Sequence, residues 1–85
     1  MTYAYRTEPY IDRDGTPRVI VWRRQILSES RKDIELGEVE RAVITPGEKP
    51  VFQKTGGLLG RPCRITRERY KSCGYTTQPP KEIQQ

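Results

Sequence analysis

The run PRVIVWRRQIL, residues 17–27, limits what this chain can fold into more than any other stretch. Its β-branched and aromatic side chains favour a strand, and no breaker interrupts the run once it has begun. The segment IDRDGTP in front of it contains Asp14-Gly15, a dipeptide typical of tight hairpin turns. The sequence therefore predicts an N-terminal β-hairpin in which residues 3–11 pair with residues 18–26.

Alternate side chains of this strand point to opposite faces of the sheet. One face carries Ile20, Trp22, Arg24 and Ile26, and this is the face that we expect to pack against the core. Trp22 is accordingly interpreted as a core residue.

Two patterns overlap in residues 28–45. Apolar residues recur there at helical spacing, but Gly37 disfavours an uninterrupted helix. Ile34 and Leu36 alternate with polar residues, and the alternation resumes from Val39 onward, which favours strands. We therefore expect two strands that are separated near Gly37.

The segment RITRERYKSCGY has the signature of a short capped helix. Thr66 suits the N-cap position, and Gly74 suits the left-handed position that ends many helices. The predicted helix, residues 66–73, has about two turns and must dock on the sheet to be stable. We expect it to dock through Tyr70 and Cys73.

Together these elements predict an α+β fold, with a small twisted antiparallel β-sheet of about three to five strands and one short C-terminal helix packed on it. A small β-barrel is the nearest alternative. Residues 1–75 are expected to form a single small globular domain, and residues 76–85, TTQPPKEIQQ, a disordered C-terminal tail.

A chain of 85 residues with 33% apolar and 32% charged residues can build only a thin core. A homodimer, or contact with another partner, could supply the missing burial. No apolar run approaches the roughly 20 residues of a membrane helix, and the N-terminus has no apolar signal-peptide segment. We therefore expect a cytoplasmic protein with no membrane partner.

The residue inventory argues against catalysis and against a bound metal. The chain has no histidine, the usual base of a nucleophilic pair, and its two cysteines are too few for a zinc site within one chain. The glycines of TGGLLGRP, residues 55–62, lack the spacing of a nucleotide-binding loop and are interpreted as a flexible loop. Cys63 and Cys73 flank the predicted helix and would lie too far apart for a disulfide. We expect no enzymatic activity, no cofactor and no metal.

Charge is distributed unevenly along the chain. The total is +5, with −3 in residues 29–48 and +6 in residues 49–85. Arginine outnumbers lysine in the stretch around the predicted helix, which suits bidentate contact with phosphate. Three basic residues of this stretch lie on one helical face, here called the basic stripe: Arg64, Arg67 and Lys71.

The residues predicted to contact nucleic acid are the basic ones of the glycine loop, the basic stripe and the hairpin: Lys54, Arg61, Arg64, Arg67, Lys71, Arg18, Arg23 and Arg24. The hairpin also supplies three aromatic side chains that are predicted to stack on bases: Tyr3, Tyr5 and Tyr10.

These features predict a small basic nucleic-acid-binding protein that contacts DNA or RNA mainly at phosphates, through an arginine-rich loop and helix. The alternative is a small protein-binding accessory factor, such as an inhibitor or adaptor of a phage or mobile element, whose surface engages one larger protein. The thin core and a hairpin edge open to strand addition favour that alternative. No feature of the sequence favours a third role, as a structural subunit of an assembly.

Overall fold

The fold is an open antiparallel sheet of five strands with little helix. A computed structural model describes residues 1–84. Its elements in chain order are strands β1 (Tyr3–Ile11), β2 (Pro17–Glu29), β3 (Asp33–Ile44) and β4 (Gln53–Lys54), a 3₁₀ helix (Leu58–Gly60), strand β5 (Cys63–Thr66), helix α1 (Arg67–Ser72) and a second 3₁₀ helix (Lys81–Ile83).

Strand β2 lies between β1 and β3, and the two short strands β4 and β5 both pair with the outer edge of β3. The predicted α+β class is roughly consistent with this arrangement, although the helix content is very low. The sheet does not close on itself, so the alternative of a small barrel is wrong.

The predicted N-terminal hairpin is confirmed, because β1 and β2 pair antiparallel over the whole length of β1. Its turn is closed by the Gly15 amide, which donates a hydrogen bond of 3.0 Å to the Asp12 carbonyl oxygen. Gly15 has a φ of 81°, a conformation that glycine adopts without strain. The observed partners of residues 3–11 are residues 17–25, one position closer to the turn than predicted.

Strand β3 is continuous where the sequence predicted two strands separated near Gly37. Between the pair Arg24 and Val39 and the pair Ile26 and Leu36, two residues of β3 lie opposite one residue of β2. This β-bulge shifts the alternation of β3 by one residue, so Leu36 and Val39 point to the same face although they are three positions apart. The glycine that was interpreted as a boundary therefore marks the bulge.

Buried apolar residues lie on both faces of the sheet. On one face, Tyr70 of α1 and Tyr75, which follows the helix, pack on a cluster formed by Ala4, Ile26, Ile34, Leu36 and Ile65. On the opposite face the buried residues are Tyr5, Val21 and Ala42. Both faces contribute to the core, whereas we expected only the face of Trp22 to do so, and Trp22 itself is only half-buried.

The predicted helix is confirmed, with the expected caps at both ends. The Thr66 hydroxyl accepts a hydrogen bond of 3.2 Å from the Arg69 amide, as an N-cap does. At the other end the chain leaves the helix through Gly74, which has a φ of 85°. The Tyr75 amide then donates to the Tyr70 carbonyl at 3.2 Å, which completes a Schellman motif.

Tyr70 attaches α1 to the sheet, as predicted, because it packs against the apolar cluster and stacks on Tyr75 with a centroid separation of 5.5 Å. The prediction that Cys73 also docks the helix is wrong, because that side chain is exposed. Cys63 is half-buried, and both cysteines are free thiols.

The chain after α1 runs along the edge of β1. Thr76 and Tyr5 exchange two backbone hydrogen bonds of 2.7 and 2.9 Å, so Thr76 adds one bridge to the sheet. Further on, Pro80 is half-buried and Lys81–Ile83 forms the second 3₁₀ helix. The last residue of the predicted tail, Gln85, lies outside the described residues. Within residues 1–84, no helix combines the length and the apolar character needed to cross a membrane.

Candidate functional site

Three side chains form a row across the middle of the sheet, on the face that α1 covers further along: Arg6, Trp22 and Arg41. They lie directly opposite one another on β1, β2 and β3, so they point to the same side. The guanidinium carbon of Arg6 is 5.5 Å from the centre of the Trp22 ring, and that of Arg41 is 5.8 Å from it. Among the described residues, neither arginine forms an ion pair with an acidic side chain.

Each of these cation–π contacts is worth roughly 0.5–1 kcal/mol at an exposed site. The indole nitrogen of Trp22 donates to the Glu8 carboxylate at 3.0 Å, which orients the ring. The arginine–tryptophan row (Arg6, Trp22 and Arg41) is therefore held together by the ring, and the guanidinium groups remain available as donors.

The next row toward the helix contains the one buried charged side chain of the described residues, Arg24, which is 6% exposed. Its neighbours in the row are Ala4 and Val39, and neither carries a charge. The Arg24 Nε donates to the Gly37 carbonyl at 2.8 Å, and an Nη atom donates to the Arg61 carbonyl. The β-bulge thus supplies one of the two carbonyl oxygens that hold this guanidinium.

The two rows form the floor of an open cleft of about 530 Å³. The other lining residues come from β4, the glycine loop and the segment after α1: Gln53, Lys54, Thr55, Gly56, Leu59, Gly60 and Tyr75. Gly60 is buried, and a Cβ atom there would lie 2.9 Å from the Thr55 hydroxyl oxygen, so the loop packs closely at this point. Four cationic side chains line the cleft, and no acidic residue does.

The basic stripe is less available for binding than the sequence indicated. Arg64 lies in β5 rather than in the helix, and its guanidinium is 3.3 Å from the Glu35 carboxylate. Arg67 lies 3.7 Å from the carboxylate of Glu29 and donates to a backbone carbonyl at 2.8 Å. Lys71 is exposed and makes no ion pair within residues 1–84.

The predicted hairpin residues are divided between the two faces of the sheet. Arg18 pairs with the turn residue Asp12 at 2.6 Å. Arg23 points away from the cleft, pairs with Glu40 at 3.0 Å, and lies over two aromatic rings. Tyr3 and Tyr5 share that opposite face, and Tyr10 is exposed near the turn.

The structure therefore brings together only part of the predicted set. Arg24 and Lys54 line the cleft, and Arg61 contributes a carbonyl oxygen to its floor. Arg6 and Arg41 were not among the residues predicted from the sequence. The predicted hairpin register is one position from the observed one and would set Arg6 opposite Arg23 rather than Trp22. The position of Arg41 depends on the register between β2 and β3, which was not predicted from the sequence.

The cleft has the chemistry of an oxyanion site. Guanidinium and ammonium groups donate hydrogen bonds and carry positive charge, and arginine can hold two phosphate oxygens at once. Among the described residues, no group of three or more acidic or cysteine side chains is placed to hold a metal ion.

No protein-family model matches the chain, and the comparisons with curated proteins and with solved structures give no match either. The chemistry of the cleft is therefore the basis on which a function can be assigned.

Proposed function

We propose that this protein binds nucleic acid, and that it does so mainly by holding phosphate groups in the cleft. The arginine–tryptophan row carries the proposal, because it presents two guanidinium groups, free of acidic partners, in a concave surface that no acidic residue lines. Lys54 adds a third cation at the rim, although the Glu38 carboxylate lies 3.5 Å from its ammonium group. Phosphate contacts of this kind supply most of the affinity of non-specific binding.

Cations that are already paired contribute less to such binding. An arginine that leaves a carboxylate in order to contact a phosphate exchanges one anionic partner for another, so the net gain is small. Arg18, Arg64 and Arg67 are all in this position. The arginine–tryptophan row should therefore dominate, rather than the loop and helix that the sequence indicated.

Trp22 has a positioning role in this proposal. Because a guanidinium group lies near the ring from each neighbouring strand, the indole holds the two cations and leaves little room for a base to stack on it. Binding through phosphates carries no direct sequence information, so affinity should depend weakly on base sequence.

The proposal is tested by comparing two double variants that each remove two positive charges. Arg6→Gln with Arg41→Gln removes two cations of the cleft that have no acidic partner, and Arg64→Gln with Arg67→Gln is the matched control with paired cations. Fluorescence anisotropy with labelled single-stranded and duplex oligonucleotides would be measured over a range of salt concentrations. On a single strand, the cleft variant should lower the slope of log affinity against log salt by about 1.4, because each phosphate contact contributes about 0.7.

The control variant should change that slope by less than half as much, because its cations already have anionic partners in the free protein. The proposal fails if the wild-type protein binds neither DNA nor RNA at low salt. It also fails if the control variant lowers the slope as much as the cleft variant does, since the basic stripe would then be the binding surface.

A second candidate function is binding of one larger protein. Leu58 and Leu59, at the tip of the glycine loop, are 76% and 95% exposed, and adjacent leucines this accessible are typical of contact surfaces. A purified complex that survives nuclease treatment, and that Leu58→Ser with Leu59→Ser disrupts, would support this function over the first.

A further inference from the structure

Arg24 is a buried cation without an anionic partner. It is 6% exposed, and no carboxylate of the described residues lies within ion-pair distance of it. An unpaired charge in a protein interior costs several kcal/mol, so buried arginines normally contact an acidic group. Two backbone carbonyls hold the Arg24 guanidinium in place, but carbonyl dipoles do not neutralise its charge.

Some of the hydrogen-bond donors of Arg24 have no partner among the described residues. A guanidinium has five N–H groups, and within residues 1–84 only the Nε and one Nη atom of Arg24 donate hydrogen bonds to the protein. Among those residues, the Tyr70 hydroxyl is the only side-chain polar atom that lacks both a hydrogen-bond partner and contact with solvent. The second Nη atom of Arg24, which has no hydrogen-bond partner among those residues, is therefore accessible to solvent. Arg24 is one of the residues that line the cleft, so the cleft gives access to its side chain.

The surroundings of Arg24 favour a ligand with more than one negative charge. Arg6, Arg41 and Lys54 line the same space, and their mutual repulsion with Arg24 is relieved by an anion placed among them. A phosphomonoester carries about −1.5 to −2 charges at neutral pH and has three free oxygens. A phosphodiester within a strand carries one charge and has two free oxygens, so it matches four cations less well.

The position of Arg24 on the floor of the cleft favours the end of a strand. A terminal phosphate projects beyond its nucleoside and can reach the floor, whereas a phosphate within a strand has a nucleoside on each side. The volume of about 530 Å³ lies in the range of small-ligand sites and is large enough for one terminal nucleotide.

From these observations we infer that the floor of the cleft is a subsite for a terminal phosphate of a nucleic-acid strand, with Arg24 as its central contact. This inference rests on the proposed nucleic-acid binding and specifies which phosphate the cleft prefers. Arg6 and Arg41, from the neighbouring row, then contact the terminal phosphate, and Lys54 contacts it or the next phosphate.

The test uses one single-stranded oligonucleotide in three forms: with a 5′-phosphate, with a 3′-phosphate, and with hydroxyl groups at both ends. Anisotropy titrations at constant ionic strength should show that at least one phosphorylated form binds the wild-type protein about tenfold more tightly than the hydroxyl form. This factor corresponds to about 1.4 kcal/mol, the order of one charge-assisted hydrogen bond.

Arg24→Lys keeps the charge but loses the fixed fork of donors. It should reduce the ratio of the affinities for the phosphorylated and hydroxyl forms from about ten to less than three. Because a variant of a buried residue can fail to fold, a competition experiment uses the wild-type protein alone. Adenosine monophosphate should displace the phosphorylated oligonucleotide, and adenosine at the same concentration should not.

The outcomes separate this inference from the proposed function. Equal affinity for all three oligonucleotides would overturn the terminal-phosphate subsite and leave phosphate-backbone binding intact, whereas no binding of any of them would overturn both. If inorganic phosphate competes as well as adenosine monophosphate does, the site accepts free phosphate without a nucleoside, and the assignment to a strand end is refuted.

Discussion

The Tyr70 hydroxyl is buried and has no hydrogen-bond partner among the described residues, although its ring packs on the core cluster and on Tyr75. In the unfolded chain this hydroxyl is hydrated, so folding removes a hydrogen bond to water without replacing it. Leaving such a group unsatisfied costs about 1–3 kcal/mol. Tyr70→Phe keeps the ring and removes the hydroxyl, and we expect it to raise the free energy of unfolding by about 1 kcal/mol, or the Tm by roughly 4–8 °C.

Urea unfolding followed by circular dichroism measures this change. The midpoint should rise while the slope m stays the same, because the surface exposed on unfolding hardly differs. Tyr75→Phe is the matched control, since Tyr75 is the other ring of the stacked pair but its hydroxyl is not a buried unpaired atom. We expect it to change the free energy of unfolding by less than about 0.5 kcal/mol. A lower midpoint for Tyr70→Phe would refute the reasoning, because it would show that the hydroxyl is stabilised in the folded state.

The same hydroxyl predicts a loss of stability at alkaline pH. Burial, followed by the nearby Glu29 and Tyr75, raises the pKa of Tyr70 above its usual value of 10.0, and Arg67 opposes the shift. As the pH rises through 10, the unfolded chain loses this proton while the folded chain keeps it, so unfolding becomes more favourable. The stability advantage of Tyr70→Phe over the wild type should therefore grow between about pH 9 and about pH 11, and an advantage that does not change over this range would contradict the assignment.

The two remaining predictions concern local hydrogen bonds. Thr66→Ala removes the acceptor of the Arg69 amide and should lower the free energy of unfolding, measured in urea titrations, by about 1 kcal/mol. Thr77→Ala is the control and should have almost no effect, because the Thr77 hydroxyl forms no hydrogen bond within residues 1–84. The side-chain hydrogen bond from Arg18, together with the Thr16 amide, outweighs burial and holds the pKa of Asp12 below its usual value of 3.8. The stabilisation is present at pH values above 3.8 and is lost as the pH falls through the lower pKa of the folded state. The difference in stability between the wild type and Asp12→Asn should therefore be constant near neutral pH and shrink in acid. A difference that is the same at every pH would argue against the ion pair.

Some elements could be predicted because their signals are local. The hairpin depends on the Asp14-Gly15 turn and on the β-branched run that follows it, and both can be read from adjacent residues. The helix depends on Thr66 and Gly74, which satisfy the free backbone groups at its two ends. In each case the residues that determine the conformation lie within one turn of the place where it forms.

The candidate site could be predicted only in part, because partners distant in the sequence determine it. Positive charge in the C-terminal half pointed to the basic stripe, yet Glu29 and Glu35 from the preceding strands lie against that stripe. The pairing of β3 with β5 brings them together, and no local pattern encodes it. Trp22 was interpreted as a core residue because it lies on the face of β2 that was expected to pack against the core. The apolar cluster under α1 lies further along that face, and Trp22 is only half-buried.

The sequence by itself determined the N-terminal hairpin, the capped helix and the surplus of arginine, since these follow from backbone preferences and composition. Only the tertiary structure decided which arginines are free to bind. The pairing of β2 with β3 has two irregularities, one on each side of Ile26, and they cancel, so Trp22 meets Arg41 in the same register in which Glu29 meets Ile34. The carbonyl of Gly37, at the bulge, holds Arg24 under the cleft. A shift of one residue turns every side chain of a strand to the opposite face, so the register of β2 against β3 decides whether these cations converge in one cleft or are divided between the two faces of the sheet.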